Sequence, residues 1–535
     1  MLTSHKRPNG LFTAHMKTVN PWVIAITVTL ATFMELLDTA IANVALPHIA
    51  GGLAVSGDES TWVLTSYLVA NAVVLPLSAW LSRVFGRKNY YLGCVALFTV
   101  SSLLCGLAPS LTWLIFFRIL QGVGGGGLAP VEQAILVDTF PPAKRAAAFA
   151  LYSMAIVTAP AIGPPLGGWI TDHSSWRWVF FINIPVGLFS LYMANRVVKD
   201  PPEFVEEVKQ ARRAGKLRID YIGILLVAIG FACLEVVLDR GEREDWFGSD
   251  MIVGFFTVAL VSLAVALYWE LQHPDPVVEI ALLKNRNFAI ASFFYFLFGF
   301  VLFGSTVLIP QMLQSLFGYT ATLAGLVLGP GALVIVALAP VVVRLVRRVP
   351  VGALIAFGFT VLGLAMWFYA GFNLDTNYGK EALARAVQGF GLAFLFVPTS
   401  QLAYSYLPKN KNNKASSLTN LFRNQGGSFG IAFVTTMIER RSQFHRTVLS
   451  VHSSALNPIY VSRLAQLTNY FRRQGDSTPG ASHHAAAQLY ALLERQAGML
   501  SFADVFWLLG VIAFAGPVVT LFIRKFQRAG SAPAH

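Results

Sequence analysis

Apolar positions run along this chain in long uninterrupted blocks rather than in the alternating or heptad patterns of water-soluble elements. A membrane-crossing helix needs about 20 mostly apolar residues, and fourteen blocks meet that length, near 21–48, 60–81, 89–107, 110–137, 145–170, 176–196, 221–239, 251–271, 287–314, 321–344, 351–371, 380–405, 414–438 and 501–523. Polar residues are pushed into the short segments between them. The pattern predicts an all-α membrane protein with fourteen transmembrane helices. The first block is too long for a cleavable leader and its end lacks a small-residue cleavage site, so it reads as the first span.

Composition supports this. Of 535 residues, 55% are hydrophobic and 13% charged, against about 25% charged in soluble domains. The net charge of +13 is spread as short clusters between blocks, which is the pattern of membrane loops rather than of a nucleic-acid groove. If the N-terminus is cytoplasmic, 26 Lys and Arg fall in inner segments and four in short outer loops, which puts both termini in the cytoplasm. Cys94, Cys105 and Cys233 lie in apolar blocks without a CxxC pair, so neither a disulfide framework nor a metal site is expected.

One outer segment is long. Residues 439–500 carry seven arginines and read as two amphipathic helices, near 457–474 and 483–498, split by a turn at Gly475–Gly480. This segment is either a solvated flap or a docking surface for a periplasmic partner.

The chain repeats itself. Arg118 opens RILQGVG and Arg385 opens RAVQGFG, 267 positions later. Each falls in the fourth span of a candidate half. The repeat predicts two pseudo-symmetric six-helix halves around a central path. The expected organisation is a cytoplasmic N-terminus (1–20), a first half (21–196), a cytoplasmic connector (197–220), an inserted helix pair (221–271), a linker (272–286), a second half (287–524) and a tail (525–535), a 6+2+6 arrangement.

Few charges lie inside the blocks, and a charge in hydrocarbon costs roughly 2.5–3.5 kcal/mol or more. Those present are therefore the candidate functional residues. Glu35 and Asp38 share one face of span 1 at i and i+3, and Asn43 follows one to two turns on. Two buried carboxylates this close make one of them a candidate to exchange protons. The bland alternative is that they only neutralise Arg118. In span 4, Arg118 and Gln121 are i, i+3 neighbours, and Glu132, fourteen residues on and nearly four turns away, is expected on a similar face. The run GVGGGG between them has no Lys-Ser/Thr after it and no strand before it, so it is a close-packing surface rather than a phosphate loop. Arg385 and Gln388 repeat the frame in the second half. Arg423, Asn424 and Gln425 form a polar patch in span 13. The substrate cavity is expected to be lined by Asn43, Gln121, Arg385, Gln388, Arg423, Asn424 and Gln425. In span 5, Gly163, Pro164, Pro165, Gly167 and Gly168 predict a kinked, tightly packed hinge. Asp138 is expected to pair with Arg83, Arg87 or Lys88 as a gate at the cytoplasmic face. Glu235 and Asp239, at the end of span 7, are expected at the membrane interface. No nucleophile–base set is present, so an enzyme is not expected.

Taken together these motifs resemble the major facilitator superfamily, and within it the fourteen-span drug:proton antiporters. LDTAIANVALP (Leu37–Pro47) is similar to the family's span 1 signature, RILQG (Arg118–Gly122) to its span 4 motif, and APAIGPPLGG (Ala159–Gly168) to its antiporter motif. WRWVFFINIPVG (Trp176–Gly187) is similar to the start of its sixth span. In the loop between spans 2 and 3, Gly86, Arg87 and Lys88 match the family, while Arg83 and Val84 stand where it has Asp and Arg. PPAKR at 141–145 and the long outer loop resemble EmrB-type pumps. The resemblance implies proton-coupled efflux of lipophilic drugs, with Asp38, Glu35, Glu132 and Arg118 in proton coupling. It also implies no cofactor besides the proton, an inner-membrane location, and assembly with an EmrA-like periplasmic adaptor and a TolC-like outer-membrane channel. The same scaffold could export an anionic metabolite such as a fatty acid or siderophore, held by Arg118, Arg385 and Arg423.

Overall fold

The computed structural model describes residues 20–213, 220–273, 276–405, 407, 411–454 and 456–523. Of the inner basic residues, Lys6, Arg7, Lys17, Lys216, Arg218, Lys409, Arg524, Lys525 and Arg528 lie outside the described residues, as does the tail at 525–535.

The described elements are helices. A first group contains α1 (Pro21–Leu53), the short α2 (Gly57–Ser60), α3 (Trp62–Phe85), α4 (Arg87–Leu107), α5 (Leu111–Gly125), α6 (Leu128–Thr139), α7 (Pro142–His173), the short α8 (Trp178–Phe181) and α9 (Asn183–Val197). The amphipathic α10 (Pro202–Arg213) follows, then the pair α11 (Tyr221–Arg240) and α12 (Asp250–Gln272). A second group contains α13 (Arg286–Phe317), α14 (Ala321–Leu345), α15 (Val351–Ala370), α16 (Tyr378–Ala393), α17 (Phe396–Tyr404), α18 (Asn412–Ser450), α19 (Pro458–Arg473), α20 (Thr478–Ala513) and the short α21 (Ala515–Thr520).

Thirteen helices among the described residues are long and apolar enough to cross a membrane. The protein is a multi-pass membrane protein. The expected span at 414–438 is not among the thirteen. It lies within α18, whose first half carries Asn, Ser, Thr, Gln and Arg and whose C-terminal end is charged, so its mean hydropathy is too low. It is nonetheless packed on α13, α20 and α3.

Both fourth-span helices break at corresponding places. α5 gives way to α6 at Gly126–Gly127, and α16 to α17 at Phe394–Leu395. The glycine run before the first break brings backbones together, as its composition predicts. A Cβ on Gly122 would sit 2.5 Å from the Tyr67 carbonyl oxygen, and one on Gly124 2.7 Å from the Phe98 nitrogen. The break corrects the expected common face of Arg118 and Glu132, which lie on separate helices, α5 and α6.

The outer segment also differs from expectation. α18 runs on to Ser450, and α20 begins at Thr478, 23 residues before the expected start of the last span. The predicted helix at 483–498 is therefore not separate but the first part of α20. Only α19 is an independent helix, packed on α20. The outer surface is a continuation of two long helices because no Gly or Pro interrupts 439–450 or 481–497. Polar contacts tie the end of α18 to α20: Arg441 and His445 both meet Asp504 at 2.6 Å, and Arg446 meets Glu494 at 2.7 Å.

α7 packs against α1 on one side and α14 on the other, so it joins the two helix groups. It runs unbroken through Pro160, Pro164 and Pro165. Gly163 lies against Ala40, and a Cβ at Gly167 would come within 3.2 Å of Ile41 Cα. Gly168 is buried beside it, and Pro165 fills the space left by Gly325 of α14.

Candidate functional site

Asp38 lies at the centre of the first helix group and is 1% exposed. Its Oδ2 accepts from Arg118 Nη1 at 2.6 Å. Its Oδ1 accepts from Gln121 Nε2 at 3.0 Å and from Asn183 Nδ2 at 2.6 Å. Arg118, fully buried, also donates from Nη1 to Gln121 Oε1 (2.8 Å) and from Nε to the Val63 carbonyl (3.0 Å), and its guanidinium lies 4.3 Å from the Tyr67 ring centroid. The i, i+3 spacing puts Arg118 and Gln121 on one face of α5, so both reach the same carboxylate. Such a pair is retained in a low-dielectric interior only when further hydrogen bonds support it, and here two side chains, Gln121 and Asn183, and the Val63 carbonyl do so.

Two more carboxylates flank this network. Glu35 Oε1 accepts from Tyr67 Oη (3.0 Å) and Asn71 Nδ2 (3.2 Å) of α3. Glu132 Oε1 accepts from Thr29 Oγ1 at 2.5 Å, while its Oε2 has no partner among the described residues. Both are buried, and both lie within Coulombic range of Arg423 on α18. Glu132 thus belongs to the interior between the groups rather than to the Arg118 cluster.

A polar ladder joins the two groups below these acids. Arg423 Nη1 donates to Tyr152 Oη (2.9 Å), Gln133 Nε2 to Asn420 Oδ1 (3.3 Å), Tyr404 Oη to Gln133 Oε1 (3.3 Å), and Ser416 Oγ to the Pro130 carbonyl (2.5 Å). Arg423 Nη2 also meets Asn424, and Gln425 is buried with Oε1 unpartnered. Further along the same seam, Arg87 pairs with Asp138, whose other oxygen accepts from Asn412 Nδ2 at 2.9 Å. Asn413 Nδ2 reaches Ser82 Oγ at 3.3 Å, and Ser417 Oγ the Leu75 carbonyl at 2.9 Å. The bundle is closed at this end. Lys88 takes a different partner: its backbone N–H donates to Asp200 (2.8 Å) and its Nζ to the Asn195 carbonyl (2.7 Å). Gly86, at φ +85°, makes the turn that places both residues.

In the second group, Arg385 Nη1 donates to Gln388 Oε1 (2.6 Å), and Gln388 Nε2 to Ser305 Oγ (2.6 Å). The frame repeats the first group's, without a carboxylate. Asn43 differs from the other expected cavity residues in being exposed.

The expectation for Glu235 and Asp239 is corrected. Glu235 is 3% exposed and accepts from Ser428 Oγ of α18 at 2.8 Å. Asp239 accepts from Thr65 of α3. Arg240 donates to Thr61 (2.9 Å), and Trp246 Nε1 to Thr436 (3.0 Å). The polar end of α11 therefore bridges α3 and α18.

Sequence reasoning did not single out Tyr67, Asn71, Gln133, Tyr152, Asn183, Tyr404 or Asn420. Asn71, Gln133 and Asn420 were visible as uncharged polar residues inside spans. The tyrosines carry no such signal, because Tyr is equally common in the interfacial belts.

A many-span helical bundle with a buried, hydrogen-bonded carboxylate–arginine pair and a polar seam between two helix groups defines a secondary transporter. The chain belongs to the major facilitator superfamily, whose family pattern matches residues 28–431. It is 37% identical over 504 residues to the multidrug export protein EmrB of Escherichia coli K12, covering 92% of this chain and 95% of that one. It is 36% identical over 458 residues to the fatty acid resistance protein FarB of Neisseria gonorrhoeae, covering 85% and 87%. Among solved structures the fold is similar to a human organic anion transporter (TETRAN), with TM-score 0.55, 13% identity, and 92% and 99% covered. It is also similar to the proton:xylose symporter XylE, with TM-score 0.55, 15% identity, and 91% and 99% covered.

Proposed function

We propose that this protein is a proton-coupled exporter of lipophilic, cationic or neutral drugs working by alternating access. The observation that carries the reading is Asp38, fully buried and held by Arg118, Gln121 and Asn183. Proton binding to Asp38 would weaken its hold on Arg118. Drug binding near Glu35 and Glu132 would compete for the same charge balance. Two ligands that favour opposite states of one equilibrium exchange across the membrane. The similarity to EmrB supports drug export as the use of that exchange.

In this reading α18 supplies the thirteenth of fourteen spans, the organisation is 6+2+6 with both termini cytoplasmic, and the Arg87–Asp138–Asn412 end is the cytoplasmic gate. Gly163 to Gly168 let α7 roll on α1 while Pro165 keeps α14 in register. The extension built from α18, α19 and α20 would stand on the periplasmic side of the inner membrane, as the docking surface for an adaptor and outer-membrane channel of the EmrA and TolC kinds.

A second reading has its own support. Arg385 and Arg423 bond to no carboxylate among the described residues, and FarB, by name, confers fatty acid resistance. An anionic substrate could use those two charges. Uptake by proteoliposomes under an imposed pH gradient, comparing tetraphenylphosphonium with palmitate, separates the readings. Gradient-driven movement of the cation supports drug export; movement of palmitate alone, weakened by Arg423→Gln, replaces it with anion export.

A further inference from the structure

The offset that carries Arg118 onto Arg385 and Gln121 onto Gln388 carries Asp38 onto Ser305. The geometry agrees: Gln121 Nε2 donates to Asp38, and Gln388 Nε2 to Ser305 Oγ. The second frame has kept its amide and lost its anion. Arg385 is 1% exposed, and its Nε has no partner among the described residues. Gly331 of α14 presses its backbone on this side chain, so that a Cβ there would lie 3.1 Å from Arg385 Nε.

One turn earlier on α16, on the same face, stands Glu381. It is 0% exposed and pairs with no cation among the described residues; the Tyr319 hydroxyl is its neighbouring hydrogen-bond donor. At i, i+4 the two side chains are within reach of each other, yet Arg385 donates to Gln388 instead. Tyr319, ahead of α14, faces the carboxyl group, and Tyr369 of α15 donates to Glu381's own carbonyl at 3.4 Å. On α16 itself the neighbouring charges are the exposed Lys380 and Arg385. A buried carboxylate that forms no salt bridge is strongly disfavoured in its ionised form, whereas a neutral one is not.

We infer that Glu381 is a second proton-binding site, carrying a proton in this conformation and ionised on Arg385 in the alternate one. The proton leaves as H⁺ to water, and the freed carboxylate accepts the Arg385 Nε–H; no other bond changes. The second half thereby regains, from its own helix, the anion that the first half takes from α1. The transport role rests on the antiport reading above; the protonation does not.

The test uses the full-length protein and two readouts. In proteoliposomes with a trapped pH dye, protons exchanged per tetraphenylphosphonium are counted for wild type, Glu381→Gln and Glu381→Asp. The expected result is one proton fewer for Glu381→Gln and the wild-type ratio for Glu381→Asp. An unchanged ratio in Glu381→Gln overturns the inference. Infrared spectra of the purified proteins at neutral pH are expected to show a protonated-carboxyl band, part of which is absent in Glu381→Gln. Identical bands overturn the inference even if every variant transports. If wild type moves no proton with the cation, the antiport reading fails, and the infrared comparison alone decides the protonation of Glu381.

Discussion

Arg118 and Arg385 open the same R-x-x-Q-G-x-G frame, are both fully buried, and both donate to the glutamine three residues on. Arg118 then meets a carboxylate held by two further side chains, whereas Arg385 meets a serine's hydroxyl through its glutamine. One scaffold has been kept in both halves and the charge balance in only one. The lesson is that the repeat conserves packing and helix breaks, while the chemistry sits in the places where the repeat fails.

The comparison can be broken most directly at the arginines. Arg118→Gln leaves Asp38 buried without its cation, which should cost about 3–5 kcal/mol. Arg385→Gln removes an uncompensated charge and should fall within about 1 kcal/mol of wild type. Paired thermal unfolding in one detergent measures both; equal losses would show that the halves are balanced alike.

The next test concerns what the halves share. Gly163 lies against Ala40, and Gly430 of α18 against the Phe300 carbonyl. Gly163→Val and Gly430→Val should each destabilise by about 1–3 kcal/mol through overpacking. A large difference between them in the same unfolding assay would mean that the two helix contacts are not equivalent.

Restoring the missing anion sharpens the contrast. Ser305→Asp should stabilise by about 1–2 kcal/mol through a charged hydrogen bond to Gln388 and Arg385, and this gain should vanish when combined with Arg385→Gln. A double-mutant cycle reads the coupling.

The smallest effect is expected at the linker. Burial pushes the Glu279 carboxyl up, but hydrogen bonds and charge from Lys411 and Lys414 outweigh it and hold it below the usual carboxylate range. A depressed value means that its stabilisation is complete above the ordinary carboxylate pKa and is lost as pH falls through the lowered value. Glu279→Gln should therefore cost about 1 kcal/mol at neutral pH and nothing in strong acid. A pH series of unfolding midpoints checks this.

Much of this was legible in sequence. Long apolar blocks are a strong signal, so thirteen of the fourteen expected spans match helices long and apolar enough to cross a membrane, mostly within a few residues. Asp38 and Arg118 stood out because charges are rare in spans, and loop position set Asp138 against Arg83, Arg87 or Lys88 without choosing Arg87. What escaped reading depends on the third dimension. The break at Gly126–Gly127 sends Glu132 to Thr29, and a helical-wheel argument assumes continuity. The bridge made by Glu235 and Asp239 is invisible because a charge near the end of a block looks the same whether it faces water or a neighbouring helix. The extension of α20 was missed because its first turns are polar, and the apolar signal starts only where the membrane would. The repeat offset already puts Ser305 where Asp38 stands, but the charge deficit at Arg385 needed the Gln388–Ser305 hydrogen bond to reveal it.

The central claim is that Asp38, held by Arg118, couples a proton gradient to export. The measurement is pH-gradient-driven tetraphenylphosphonium movement in proteoliposomes for wild type and Asp38→Asn, with binding of the cation measured alongside. The account predicts gradient-driven movement in wild type and none in Asp38→Asn, with cation binding retained. Full gradient-driven movement by Asp38→Asn would contradict it.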